Sequence, residues 1–378
     1  MVVCGAATAQ GSWTIARLLA PNSGETHAYG VAQSLQVGHI ATGTTYRAAM
    51  WSGSTETWVD LNPPGATWSQ ALGASDASQV GWATFAGDGI LRAMVWYGSR
   101  EAWVDLHPEG TNFSVASGAI EGHQGGYVMM PDGTLHAAMW QGSAASWVDM
   151  HPAGQSDSVI VSISEDVQGG MVVANGALRA CLWRGTPASW VDIHPAGTQS
   201  SQVRGVWGNV LVGEAVVAGK YRAGMWTGTA SSWVELHPAG AASSQAFGAS
   251  SDCQVGHAEM AGKLRAVMWY GSKDSVVDLH ESLDPVYTYS SARSVWSSGG
   301  WTVVAGYGYN SSRGCEEALL WTLGCRADFD GTGFVDTEDY SAFVQAFEAG
   351  VETADFDQTG FVDIDDFTAF VMAFESGC

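Results

Sequence analysis

Seven tryptophans close short Arg-Ala-rich segments at near-equal intervals: Trp51, Trp96, Trp140, Trp183, Trp226, Trp269 and Trp321, spaced 45, 44, 43, 43, 43 and 52 residues apart. Each of the first six is followed, after a short polar turn, by a second anchor. These are Trp58-Val59-Asp60-Leu61, Trp103-Val104-Asp105-Leu106, Trp147-Val148-Asp149-Met150, Trp190-Val191-Asp192-Ile193, Trp233-Val234-Glu235-Leu236 and Val276-Val277-Asp278-Leu279. Two apolar segments flanking a tight turn read as paired antiparallel strands. Upstream lies another apolar segment, entered near a small-residue turn, as in Gln36-Val37-Gly38-His39, Gln79-Val80-Gly81-Trp82 and Gln254-Val255-Gly256-His257. With a weaker strand before it, each unit has room for about four strands and no long helix.

A period of about 44 residues suits a propeller blade or a solenoid unit. The chain ends decide between them. Trp321 is followed by Thr322-Leu323-Gly324-Cys325 with no second anchor, whereas Gly11-Ser12-Trp13-Thr14-Ile15 places a tryptophan 45 residues before Trp58. A strand missing at one end and supplied at the other suits a closed ring; an open solenoid would need caps instead. The expected fold is mainly β: a seven-bladed β-propeller over residues 10–324, closed by an N-terminal strand, then a small α-helical domain over residues 325–378. Trp13 and the seven anchors are assigned to the wedges between blades in preference to sugar stacking.

A symmetric turn between Trp51 and Trp58 sets positions 47, 49 and 51 opposite 62, 60 and 58, with Arg47 diagonal to Asp60. The same arithmetic pairs Arg92 with Asp105, Arg179 with Asp192, Arg222 with Glu235 and Arg265 with Asp278. Repetition marks these as structural ties, because a catalytic site needs one asymmetric place. His107, His151, His194 and His237 each precede proline, and His280 takes the same place without it. There proline ends a strand and histidine satisfies a nearby polar group. The recurring Arg-Ala or His-Ala, from Arg47-Ala48 through His136-Ala137 to Arg265-Ala266, followed by an aromatic-rich strand, resembles a family of bacterial extracellular repeats; Glu317-Ala318 departs from it. That resemblance implies no specific enzyme.

The C-terminal seventh of the chain carries a different duplication. Asp328-Phe329-Asp330-Gly331-Thr332-Gly333-Phe334-Val335-Asp336-Thr337-Glu338-Asp339 recurs 27 residues later as Asp355-Phe356-Asp357-Gln358-Thr359-Gly360-Phe361-Val362-Asp363-Ile364-Asp365-Asp366. Oxygen side chains stand at loop positions 1, 3, 5, 9 and 12, with glycine at 6 and a carbonyl available at 7, the pattern of an oxygen-ligated calcium loop. Two calcium ions are therefore expected. The first would take Asp328, Asp330, Thr332, the Phe334 carbonyl, Asp336 and Asp339; the second Asp355, Asp357, Thr359, the Phe361 carbonyl, Asp363 and Asp366. Thr at position 5 and Asp at position 12 depart from the usual EF-hand, and the threonine removes one negative ligand. Tyr340, Phe343, Val344 and Phe347, then Phe367, Phe370, Val371 and Phe374, have helical spacing and can share one small core.

This loop-helix duplication resembles the dockerin domain, and the closing Phe374-Glu375-Ser376-Gly377-Cys378 is similar to the Gly-Cys-ended form found in planctomycete secreted proteins. The resemblance covers about one seventh of the chain and implies attachment to a partner module. Its partner-selecting pairs, Thr337-Glu338 and Ile364-Asp365, differ between the halves, so the resemblance does not imply two equivalent docking orientations.

The formal net charge is −23, of which residues 326–378 contribute 13 acidic side chains against Arg326 alone. Such a balance excludes a general nucleic-acid surface, and no run is apolar enough for a membrane-spanning helix. Ala7-Thr8-Ala9 resembles a small-residue cleavage site, so residues 1–9 are read as the remnant of a secretion signal. Cys325 and Cys378 bracket the acidic module and can form a disulfide, with Cys315 competing for Cys325 and Cys181 expected as a buried thiol.

The expected function is that of a secreted, noncatalytic binding or display protein. The module would bind an extracellular or cell-surface protein, and the propeller a glycan or surface polymer. The alternative is an extracellular polysaccharide-degrading hydrolase or lyase, for which His27, His39, His123 and His257, outside the repeated His-Pro places, are the candidate acid-base or ligand residues.

Overall fold

The computed structural model describes residues 13–298, 301–324, 327–330, 335–356, 359 and 361–376. The chain forms a seven-bladed β-propeller and two C-terminal helices, with seven four-stranded sheets. The first blade runs outward through Thr26–Ala32, Leu35–Thr42, Thr45–Trp51 and Val59–Asp60. The next five repeat this order. In the seventh, Tyr287–Ser298, Trp301–Asn310 and Cys315–Leu323 are joined at the outer edge by Thr14–Leu18 from the start of the chain. Trp13 lies just before that strand, half-buried.

The chain divides into two compact units. One holds Ile15–Trp296 and Val304–Leu320; the other takes the described parts of Met1–Thr14, Ser297–Val303 and Trp321–Cys378.

The first six anchor tryptophans end third strands, Trp321 lies two residues inside the end of the seventh, and all seven are at most 2% exposed. Each indole buries roughly 150–250 Å², worth about 4–6 kcal/mol of transfer free energy at about 25 cal/mol per Å². Trp96 joins Val37, Met50 and Leu61 of the blade before it, and Trp226 joins Val203, Leu211 and Ile193. The anchors therefore fill the wedges between neighbouring sheets.

The third and outer strands pair as the symmetric turn requires, with Ala49 opposite Asp60 and Met50 opposite Val59. The second strand, Leu35–Thr42, follows the turn at Gln33–Ser34, and Gly38 lies in its interior. A Cβ on it would come 1.8 Å from the His27 carbonyl oxygen, and Gly81, Gly126, Gly170, Gly213, Gly256 and Gly306 stand equally close to the inner strand. These glycines let two strands approach where a bulge draws the inner one in.

That bulge leaves Tyr29, Leu72, Ser117, Val161, Arg204 and Phe247 without cross-strand partners in the first six inner strands.

The helices α1 (Thr337–Glu348) and α2 (Ile364–Ser376) pack through Phe343 and Phe370, whose rings stack with centroids 3.9 Å apart. Ala327, Ala354 and Phe356 complete this core. No helix among the described residues is long and apolar enough to cross a membrane.

Candidate functional site

Three arrangements bear on function: the acidic segments at the helix starts, a polar network repeated through the blades, and the places where the repeat breaks.

At the head of α1, Asp339 is fully buried. Its Oδ1 accepts the Asp330 N–H at 2.9 Å, and its Oδ2 accepts the Asp336 N–H at 2.8 Å. Asp336 in turn caps the helix by accepting the Glu338 N–H at 3.0 Å. Loop positions 9 and 12 thus also form a capping box, which brings the loop back onto the helix. The second segment repeats this: Asp366 is buried and accepts the Asp363 N–H at 2.7 Å, while Asp363 accepts the Asp365 N–H at 2.9 Å.

Carboxylate oxygens of Asp328, Asp330 and Asp339 all lie within 4.8 Å of one another. Asp328 is nearly buried, and its Oδ2 accepts the Trp301 indole N–H at 2.7 Å. Three converging carboxylates, two of them withdrawn from water, fit a hard divalent cation with oxygen ligands at about 2.3–2.6 Å. Asp355 is half-buried, whereas Thr359, Phe361 and Asp363 are exposed. Thr332, Phe334, Asp357, Cys325 and Cys378 lie outside the described residues, as do residues 1–9. Cys181 is a buried thiol whose pKa burial raises well above the usual thiol range; Cys315 is half-exposed.

In the blades, Arg92 meets Asp105 at 3.2 Å, Arg179 meets Asp192 at 2.7 Å, Arg222 meets Glu235 at 3.0 Å and Arg265 meets Asp278 at 2.6 Å. Arg47 pairs with Asp60 in the same way, and His136 substitutes for arginine against Asp149 at 2.9 Å. The other oxygen of the aspartate accepts a backbone N–H two residues on, as Asp149 does from His151 at 2.9 Å. The His151 Nδ1 lies 2.8 Å from the Ser158 Oγ on the next blade's inner strand, and that oxygen accepts the Ala137 N–H at 2.9 Å. His107 with Ser114, His194 with Ser201, His237 with Ser244 and His280 with Ser290 repeat the link at 2.7–2.9 Å.

Where Nε2 faces a carbonyl, as at Gln155 O at 3.2 Å and Thr198 O at 3.3 Å, that nitrogen carries the proton, so Nδ1 accepts from the serine hydroxyl. Burial lowers the pKa of all five histidines, in keeping with a neutral ring. Aspartate, histidine and serine are the residues of a hydrolytic triad, yet here the carboxylate holds the histidine's backbone and the ring stays unaligned by it. The set acts as a latch between blades.

The repeat breaks at one cross-strand layer. Where the first blade pairs His27 with His39, the next five pair Gln70 with Trp82, Val115 with Tyr127, Val159 with Met171, Gln202 with Glu214 and Gln245 with His257. His257 bonds Ser291 Oγ at 3.0 Å and Gln245 Oε1 at 3.1 Å, and burial, with Arg293 and Arg204 adding to it, pushes its pKa down to about 4. His123 is exposed at a strand end.

Two neighbouring bulge residues also meet, with the Arg204 guanidinium 5.9 Å from the Phe247 ring centroid. The Arg293 guanidinium lies 3.9 Å from the Phe247 ring centroid, and Arg204 bonds the buried Glu214 at 3.1 Å. Sequence reasoning missed Glu25, Glu316, Arg204 and Arg293; the departure at Glu317-Ala318 was the nearest signal.

No protein-family model matches the chain, and no curated protein matches it in sequence. Among solved structures it is similar to a puromycin hydrolase mutant complexed with PGG, with a TM-score of 0.54 and 10% identity over 78% of this chain and 53% of that one. It is also similar to a puromycin-hydrolyzing peptidase of Mycobacterium tuberculosis, with a TM-score of 0.50 and 14% identity over 75% and 50%. The likeness is one of fold, and the chain spans about half the length of either of these proteins.

Proposed function

We propose that the chain is a secreted, noncatalytic binding or display protein. Its propeller presents a recognition surface, and its C-terminal module is a dockerin-like paired calcium domain that attaches it to an extracellular or cell-surface protein. The observation that carries this reading is the buried aspartate repeated at the head of each helix, Asp339 and Asp366, with Asp328 and Asp330 converging on the first. Calcium at each loop would neutralise carboxylates that otherwise repel within a module of 13 acidic residues and one basic residue. Asp328, Asp330, Asp336 and Asp339 would hold one ion, and Asp355, Asp357, Asp363 and Asp366 the other.

The peptidases' hydrolysis is not carried over, since the Asp-His-Ser sets in this chain form a repeated latch. Exposed Trp68 and Trp207 give the propeller surfaces on which a glycan ring can stack.

Calorimetric titration of the chelator-treated full chain with calcium should show uptake of about two equivalents. Asp328→Asn and Asp355→Asn should each remove or severely weaken one. Absence of calcium uptake by folded wild-type protein would overturn the attachment module as read, and a glycan array tests the propeller surface separately.

A further inference from the structure

We propose that Glu25, His27 and His39, completed by Glu316, form a binding site for a zinc-class divalent cation in the propeller, separate from the acidic loops. The cluster joins the inner and second strands of the first blade to the third strand of the seventh, since His27 and His39 are cross-strand partners and Glu316 lies in Cys315–Leu323. Its distances already approach a coordination shell. The His27 Nε2 is 3.5 Å from Glu25 Oε1 and 2.6 Å from Glu316 Oε2, and the His39 Nε2 is 3.7 Å from Glu25 Oε1. Ligand atoms of Glu25, His27 and His39 all lie within 4.8 Å of one another. Tetrahedral zinc with bonds of about 2.0–2.1 Å separates its ligands by about 3.3 Å, close to the 3.5 and 3.7 Å between Glu25 and the two imidazoles, and side-chain rotation brings Glu316 in as the fourth ligand.

An independent observation is the His39 Nε2 itself. The ring is 2% exposed, and this nitrogen is buried without a hydrogen-bond partner. Leaving such a group unpaired is costly, and a cation between His39 and Glu25 would satisfy it.

The surroundings fix both rings with Nε2 turned inward. The His27 Nδ1–H can donate to the Tyr29 hydroxyl at 2.9 Å, and the ring stacks on Tyr307 at 4.2 Å. The Gln70 carboxamide lies 3.5 Å from His39 Nδ1, and Tyr46 packs edge-on against the ring at 4.5 Å. Tyr289 donates its hydroxyl proton to Glu316. Outer contacts of this kind orient ligating imidazoles and carboxylates.

Charge points the same way, because one divalent ion balances the two carboxylates beside the imidazoles. Two imidazoles favour zinc, cobalt or nickel over calcium. None of the next five blades repeats the histidine pair, so blade construction does not require it.

The test is titration of chelator-treated full-length protein with zinc, and with cobalt as a spectroscopic probe, in saturating calcium. One equivalent of zinc should bind, and cobalt should give the intense visible absorption of a four-coordinate site. His39→Gln and Glu25→Gln should each weaken zinc binding by about 100-fold or more, while Asp328→Asn leaves it unchanged. Circular dichroism and tryptophan fluorescence establish that each variant is folded. No zinc uptake by wild-type protein, uptake unaffected by both propeller substitutions, or X-ray absorption lacking two imidazole nitrogens would each overturn the assignment. Because calcium is titrated separately, failure here and failure of the attachment reading are distinguishable.

Discussion

Removing one hydroxyl from the inter-blade latch tests whether the repeated Asp-His-Ser set is structural. In Ser158→Ala the Ala137 amide, buried at 0% exposure, loses its acceptor at 2.9 Å, and His151 loses its partner at 2.8 Å. An unsatisfied buried amide costs about 1–3 kcal/mol, whereas the half-buried histidine can turn to water at about 0.5–1 kcal/mol. The expected loss is therefore about 1.5–4 kcal/mol. All 18 tryptophans lie between Trp13 and Trp321, so their fluorescence during urea unfolding in calcium reports chiefly on the propeller, with Trp301, bonded to Asp328, also sensing the C-terminal module. Ser244→Ala, which removes the same links to Ala223 at 3.0 Å and His237 at 2.8 Å, should cost a similar amount. The two sites share no partner, so the double variant should be additive within about 0.5 kcal/mol. Losses below about 0.5 kcal/mol in both single variants would refute the latch. Loss of a hydrolytic activity with stability intact would instead revive a catalytic reading of Asp149, His151 and Ser158.

Gly170→Ala should destabilise the propeller by more than about 3 kcal/mol, because its Cβ would stand 1.9 Å from the Val159 carbonyl oxygen and only backbone movement relieves the clash. Gly176→Ala, at φ +75° with open space around the Cβ, should cost only about 1–2 kcal/mol in the same urea assay. Stability should also fall in acid. The folded-state pKa of His257 is about 4, below its unfolded value of about 6.5, so its contribution is complete above about pH 6.5 and lost as pH falls toward 4. Urea midpoints from pH 7 to pH 4.5 should fall less steeply in His257→Gln; an unchanged slope would remove His257 as a source.

The repeat was legible because it is local. The Trp51 to Trp58 turn fixes the register between two adjacent strands, so the arithmetic that set Arg47 diagonal to Asp60 holds in the structure. The latch serine escaped notice because it lies on the following blade, although its constant offset was available: His107 to Ser114, His151 to Ser158, His194 to Ser201 and His237 to Ser244 are all seven residues apart. The role of Gly38 was hidden for a different reason. Glycine commonly marks a turn, but here it marks a bulged strand pressing on its neighbour, and only the three-dimensional register separates these roles. At the C-terminus, Asp336 and Asp339 were read as ligand positions alone, yet their three-residue spacing is equally that of a capping box.

The contrast between repeated and unrepeated polar residues carries the remaining argument. A group found in blade after blade is explained by the demands every blade shares, which is why Arg179, Asp192, His194 and Ser201 need no substrate. His27 and His39 occupy a layer that elsewhere accepts Val115 with Tyr127 or Val159 with Met171, so packing there tolerates apolar side chains and does not demand imidazoles. Placing two histidines there, with Glu25 and Glu316 against them, adds a desolvation cost that apolar residues would avoid. Hydrogen bonds to Tyr29 and Glu316 offset part of it for His27, but His39 Nε2 has none. Sequence spacing could not expose this difference, because His39 lies in the same Gln-Val-Gly-His frame that places His257, whose two nitrogens both find partners.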